Sequence, residues 1–342
     1  MIKQDIKALS RSDLLDWLDA HNEKSFRADQ ILKWLYLRCA DDFGAMTDLS
    51  KAFRELLADH FSIERLAVAR TLTSTDGTRK FLFGLGDGNT IESVLIPERN
   101  HYTLCVSSQV GCAQGCRFCL TGESGFVRNL TAAEIVSQVW EVRKRIPDPD
   151  RLTNVVFMGM GEPLANYRAL VQAIDVLTNS DWGMKLATRR VTVSTAGIVP
   201  RIVSLGQDTR INIAVSLNAA DDELRSTLMP VNRTYPINAL LAACRRFPLA
   251  SGRKITFEYI LFKDVNDSPD HAARLVKLLR PLKCKINLIP FNPYPGSRYR
   301  RPSQERIDAF QSFLIDKHFT SSVRYSKGLD ILAACGQLRG QA

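Results

Sequence analysis

Three cysteines, Cys112, Cys116 and Cys119, stand within eight positions in the stretch GCAQGCRFCLTG, residues 111–122. Thiolates are the usual protein ligands of iron–sulfur clusters, and three of them hold three irons of a cubane while the fourth iron stays open. An open iron can bind a small molecule, as the open position of a catalytic zinc does. A rival reading is a structural four-cysteine zinc site with Cys105 as the fourth ligand. Cys105 lies seven residues before Cys112 in a strand-like stretch, and an extended chain of that length spans roughly 23 Å unless Gly111 bends it back. The bland reading is three structural thiols with no metal.

Other stretches could serve the same centre. MGMGEPL, residues 158–164, ends an apolar run with Gly159 and Gly161, which allow close backbone approach to a ligand, and then Glu162. VTVSTAG (191–197), AVSLNAA (214–220) and IPFNPYPG (289–296) place Ser194, Ser216, Leu217, Asn218 and Asn292 at the ends of apolar runs. Each alone is an ordinary turn or cap residue. Facing one rim together, they would make a polar lining for ribose, adenine and carboxylate groups.

The elements that must position these residues follow from periodicity. Residues 1–64 read as a small helical domain, with Phe53, Leu56 and Leu57 among the apolar residues at helical spacing. Residues 65–97 carry Asp-Gly pairs at 76–77 and 87–88 between β-prone runs, which predicts a three-stranded meander acting as a linker. From 98 to 330, six apolar strands (103–110, 153–159, 189–195, 210–216, 254–260 and 285–291) alternate with helical patterns. Repeated βα units imply a parallel sheet buried on both faces. The expected fold class is α/β, a partial (β/α)6 barrel with its site at the C-terminal ends of the strands. Residues 331–342 form a short C-terminal segment containing Cys335.

The chain has 342 residues, 45% hydrophobic and 24% charged, an ordinary soluble composition. No apolar run approaches the ~18–20 residues of a membrane span, and the start lacks a signal-peptide pattern, so the expectation is a cytoplasmic protein with no membrane partner. Eight cysteines without an export signal favour metal or catalytic use over a disulfide framework. The net charge of +10 is dispersed in clusters such as RYRR at 298–301. That suits a polyanion such as RNA, and equally a well-solvated surface.

The triad spacing, with Phe118 before the third cysteine, resembles the signature of radical S-adenosylmethionine (SAM) enzymes. TLCVSSQVGC, GFVRNLT, FMGMGEPL, CKINLIPFNPYPG and AACGQL, in that order, closely resemble the RlmN and Cfr family of RNA methyltransferases. FRADQILKWLY and MTDLSKAFRELL resemble the accessory domain of its RlmN branch. The resemblance covers about residues 10–340. It implies a [4Fe–4S] cluster on Cys112, Cys116 and Cys119, and two SAM molecules per turnover bound near Gly161, Glu162, Ser194, Ser216, Leu217, Asn218 and Asn292. It implies methylation of adenosine carbon 2 in 23S rRNA and tRNA, with Cys335 as the methyl-accepting residue, Cys105 forming a transient disulfide with it, and Glu92 as proton acceptor. An electron donor such as flavodoxin and a monomeric state are further expectations. Carbon 8, the Cfr-type target, remains open, as do a zinc-stabilised RNA-binding protein and a radical activase of another protein. The chain departs from the family in reading SLNA, with Asn218, where a histidine is usual, and in YSKGLDI before the final cysteine.

Overall fold

The computed structural model describes residues 3–340. The outermost two positions of the expected N-terminal domain and of the expected C-terminal segment lie outside those residues.

The N-terminal unit opens with β1 (Gln4–Asp5), followed by α1 (Arg11–Ala20), α2 (Arg27–Tyr36) and α3 (Lys51–His60). Ser10 starts α1 through a reciprocal capping box. Its hydroxyl accepts from Asp13 N (3.1 Å), and Asp13 Oδ2 accepts from Ser10 N (2.9 Å). The apolar stripe of α2, Ile31, Leu32 and Leu35, is buried, as its spacing requires. Strand β2 (Phe61–Ser62) pairs in parallel with β1 and closes the unit.

Next come β3 (Ala67–Thr73), β4 (Arg79–Gly84) and β5 (Thr90–Pro97), the antiparallel meander expected from the two Asp-Gly pairs. Rather than standing apart, the meander extends the main sheet. Strand β5 pairs antiparallel with β6 (Tyr102–Cys105), the first strand of the parallel series.

The run expected as one strand over 103–110 is broken. Residues 106–108 leave the sheet, and β7 (Gln109–Gly111) forms a separate ribbon with β8 (Phe126–Asn129), on the far side of the cysteine loop and the short α4 (Leu120–Glu123). The cause is α5 (Ala132–Arg143), whose buried Gln138 amide replaces a strand partner. Gln138 Oε1 accepts from Ser107 N at 2.8 Å, and its Nε2 donates to Ser107 O at 2.9 Å.

The remaining parallel strands are β9 (Leu152–Phe157), β10 (Val191–Thr195), β11 (Asn212–Ser216), β12 (Ile255–Leu261) and β13 (Cys284–Pro290). Between them run α6 (Tyr167–Thr178), α7 (Val199–Asp208), α8 (Asp222–Leu228), α9 (Ile237–Arg246) and α10 (Pro269–Leu279). After α11 (Gln304–Asp316), a short strand not anticipated from the sequence, β14 (Ser321–Val323), pairs in parallel with β13. The sheet therefore has ten strands in the order β14-β13-β12-β11-β10-β9-β6-β5-β4-β3. The six expected parallel strands are β6 and β9–β13.

Helix α5 is buried on nearly every side because it lies between the sheet and the N-terminal helices. Trp140 Nε1 donates to Leu35 O at 2.9 Å, and the carboxylate of buried Glu141 takes a bidentate pair from Arg65 at 2.9 and 3.0 Å. These contacts join the N-terminal unit to the sheet. Among the described residues, no helix is long and apolar enough to cross a membrane.

Candidate active site

The C-terminal ends of the parallel strands surround a cleft of about 800 Å³, its open mouth included. The three triad cysteines, Gly161, Glu162, Ser194, Ser216 and Cys335 all line it. The fold thus brings together eight of the thirteen residues singled out in the sequence.

The cysteine loop is held at several points. Cys112 N donates to Gly125 O (2.7 Å), and Arg117 N donates to Leu228 O at the end of α8 (3.0 Å). Leu120 N donates to Gly336 O (2.8 Å), which seats the C-terminal segment against the loop. Burial pushes the Cys112 thiol up to about 12 and raises those of Cys116 and Cys119 as well. Among the described residues, no three metal-ligating side chains converge as a single ion would require. A cubane takes one thiolate per iron, so its ligands stand apart.

The glycine turn after β9 is a tight fit. Gly161 has φ +99°, and a Cβ there would lie 2.5 Å from Gln109 Cβ. A Cβ on Gly159 would lie 2.7 Å from Val106 O. The turn then delivers Glu162 into the interior, where its carboxylate accepts from Thr195 Oγ1 (2.8 Å), Ala196 N (2.6 Å) and Leu164 N (3.0 Å). Burial raises the Glu162 pKa, and these three donors oppose the shift. The side chain thereby ties the end of β9 to the end of β10.

Five singled-out residues stand off the cleft wall. Leu217 is fully buried and contributes its backbone, N donating to Glu258 O at 2.9 Å. Asn218, at φ 59°, spends its side chain on the fold. Its Oδ1 accepts from Ile260 N (2.8 Å), and its Nδ2 points to Met229 Sδ (3.2 Å). Asn292 donates through Nδ2 to Ser326 Oγ (2.8 Å), while its buried Oδ1 has no partner among the described residues. Cys105 sits at the end of β6. Burial pushes its thiol up to about 12, and Cys335 raises it further while Arg324 opposes. The titratable groups that act on Cys105 are therefore Cys335, Arg324 and Glu258, not the triad.

Glu92, on β5, also lies outside the cleft wall. Its Oε1 pairs with Lys80 Nζ at 2.9 Å, and its Oε2 accepts from Arg339 N (2.7 Å) and Gly340 N (3.1 Å).

Two family models match separate stretches of the chain. The ribosomal RNA large subunit methyltransferase N-terminal domain matches residues 4–63, and the radical SAM superfamily matches residues 106–276. The dual-specificity RNA methyltransferase RlmN of Desulfosudis oleivorans is 56% identical over 98% of this chain and 91% of its own length. That of Geobacter sulfurreducens is 53% identical over 98% and 92%. A radical SAM methyltransferase from Sphaerobacter thermophilus superposes with a TM-score of 0.92 at 46% identity, covering 99% of this chain and all of that one. The chain belongs to the RlmN family of radical SAM enzymes.

Enzymes of this family use a [4Fe–4S] cluster and SAM, and the cleft fits both groups. Three thiols, the usual ligands of such a cluster, stand at one wall, and Gly159, Gly161, Ser194 and Ser216 line the space beside them.

Several residues of the site escaped the sequence reading. Glu258 lines the cleft and accepts from Ser194 Oγ at 2.7 Å. Its signal was present: a carboxylate in the middle of the apolar strand KITFEYI. Arg324, just beyond β14, interacts most strongly with Cys335, which favours its charged form. Burial raises the Cys335 thiol pKa and Arg324 opposes. Buried Arg225 had no signal, because its helix reads as an ordinary amphipathic segment.

Proposed function

We propose that this enzyme methylates carbon 2 of adenosine in 23S rRNA and tRNA through an S-methylcysteine at Cys335. The observation that carries the reading is that Cys335, over two hundred residues from the triad in sequence, lines the same cleft as Cys112, Cys116 and Cys119. The family of the N-terminal unit supports carbon 2 over carbon 8. An aromatic C–H carbon has no nucleophilic lone pair, so an ordinary polar methyl transfer to it is closed and a radical route is needed.

Cys112, Cys116 and Cys119 would hold the cluster, and SAM would lie along Gly161, Ser194, Ser216 and Asn292. The bound groups supply an electron, a methyl group and a hydrogen-abstracting radical. The thiolate of Cys335 attacks the methyl carbon of one SAM. Its S–C bond forms as the sulfonium bond breaks, and S-adenosylhomocysteine leaves. Once a hydrogen atom is removed from that S-methyl group, the methylene carbon on Cys335 adds to carbon 2 and joins protein to RNA. Glu92 takes the carbon-2 proton while the odd electron would return to the oxidised cluster held by the triad, which restores the aromatic ring.

The Cys105 thiolate then attacks the Cys335 sulfur. A disulfide forms, the S–CH2 bond breaks with its electron pair on carbon, and protonation there completes the methyl group. An external electron donor, a flavodoxin for example, resets the thiols. All eight cysteines are free in the structure, so the Cys105–Cys335 disulfide belongs to this proposal alone. The basic clusters support RNA contact, and the enzyme acts as a monomer in this reading. Aromatic rings accompany two of those arginines: Arg298 lies over Tyr299, 5.0 Å to the centroid, and Arg301 lies over Tyr325 at 5.8 Å.

The test is nucleoside mass analysis. Anaerobically reconstituted enzyme is incubated with protein-free 23S rRNA or tRNA, methyl-deuterated SAM and a reductant. Labelled 2-methyladenosine, lost in Cys335→Ala, is the expected product. Labelled 8-methyladenosine would move the target to the other carbon. A loaded cluster that cleaves SAM while no RNA becomes labelled would overturn the proposal.

A further inference from the structure

Arg225, on α8, is 0% exposed, and every acceptor it bonds is neutral. Its Nε donates to Leu217 O (3.1 Å) and its Nη1 to Asn232 Oδ1 (2.8 Å). Its Nη2 donates to Ala196 O (2.7 Å) and Ser216 O (3.1 Å). Among the described residues no carboxylate forms an ion pair with it, and Asp222 acts only at a distance. A buried guanidinium in that position is costly unless a negative charge compensates it.

Two relationships show where that charge would be. Ala196 and Ser216 line the cleft, at the ends of β10 and β11, so the guanidinium bridges two of its walls. The other side of α8 rests on the cysteine loop: Leu228 O accepts from Arg117 N, and Leu228 and Met229 pack with Cys116 and Cys119. Burial draws the Arg225 pKa down to about 10, and the Cys116 sulfur is foremost among the groups that oppose the shift.

We propose that Arg225 is a positioning residue with two separable effects. Its hydrogen bonds clamp the strand ends that wall the SAM cleft, and its unpaired charge offsets the negative charge of a cluster on the triad. This rests on the reading of the triad as cluster ligands. A fixed cation beside the cluster favours the more negative, reduced state, because reduction potential follows local charge and hydrogen bonding.

The test compares reconstituted wild type, Arg225→Met and Arg225→Lys by SAM-binding titration and by redox titration of the cluster followed by electron paramagnetic resonance. In Arg225→Met, SAM binding weakens by about 10–100-fold, as for outer-shell partners generally, and the midpoint moves to more negative potential. Arg225→Lys keeps the charge but cannot make the four-acceptor clamp, so its midpoint stays near wild type while SAM affinity falls. A cluster-loaded Arg225→Met with unchanged midpoint and unchanged affinity would reduce Arg225 to packing. Where Arg225→Met does not fold, Arg225→Lys decides alone, and wild-type SAM affinity in it sinks the clamp. Failure of the underlying reading looks different: Cys116→Ala would then load the same cluster as wild type.

Discussion

Glu92 and Arg339 are 247 residues apart, yet the amide of Arg339 donates to the Glu92 carboxylate at 2.7 Å. With Gly340 N and Lys80 on the same group, the C-terminal segment that carries Cys335 is fastened to the residue proposed to take the proton. Thr121 Oγ1, donating to Leu338 O at 2.7 Å, fixes the same segment from the other side.

The first prediction concerns Glu92. A neutral amide cannot accept the proton, so Glu92→Gln is expected to lower RNA methylation by about 10²–10⁴-fold, the usual contribution of a general base. Methylation of Cys335 itself precedes the proton step and should persist. Intact-protein mass measurement after incubation with labelled SAM checks it. Loss of the Cys335 methyl in Glu92→Gln would place the residue earlier in the cycle or in the fold.

A second prediction follows from Asp76. Its Oδ2 accepts from Gly328 N at 2.9 Å, so the first Asp-Gly turn holds the loop that leads to Cys335. Partial burial raises its pKa, but hydrogen bonds from Gly328, Thr78 and Ser74 outweigh that and bring it down to about 2 from 3.8. A folded-state pKa below the unfolded value means a contribution present above about pH 4 and lost as pH falls through about 2. The group is largely exposed, so the effect is local. Hydrogen exchange of residues 326–336, corrected for intrinsic rate, should rise across that window in wild type and stay high throughout in Asp76→Asn.

A third concerns the seam between the N-terminal unit and the sheet. Trp140 is fully buried and bonds Leu35 O across that seam. Trp140→Ala is expected to cost about 3–5 kcal/mol, from lost packing and an orphaned carbonyl. Thermal unfolding should fall accordingly, and limited proteolysis should release the N-terminal unit first. A variant with a wild-type melting curve would show that the seam contributes little.

Tyr325 carries the fourth. The residue is 50% exposed, its ring lies beside Arg301, and its hydroxyl accepts from Gln304 Nε2 at 2.6 Å. Stacking of a base on such a ring is worth about 1–3 kcal/mol, so Tyr325→Ala should weaken RNA binding by roughly 5–150-fold. SAM binding should not change. Equal RNA affinity in fluorescence-anisotropy titrations at fixed salt would remove Tyr325 from the interface.

Much of this molecule is legible from residue order because its signals are local. Apolar runs of strand length, alternating with helical spacing, are enough for the parallel series, since buried parallel strands need continuous apolar faces. Two Asp-Gly pairs specify the meander through their turn geometry. The triad and the Gly159–Gly161 turn are compact in sequence, because a ligand-binding loop draws its groups from one short stretch.

Other features were decided only by tertiary packing. The strand expected over 103–110 ends at Cys105 because Gln138, on a helix 31 residues beyond Ser107, takes over the Ser107 backbone. The Asn218 side chain holds Ile260 N, a pairing that exists only once β11 and β12 lie side by side. The Lys80–Glu92 pair and the burial of Arg225 have the same origin. Local propensity reports which segments become strands and helices. Which polar groups are left facing one another depends on desolvation at strand ends, where residues hundreds of positions apart must satisfy each other's hydrogen bonds and charge.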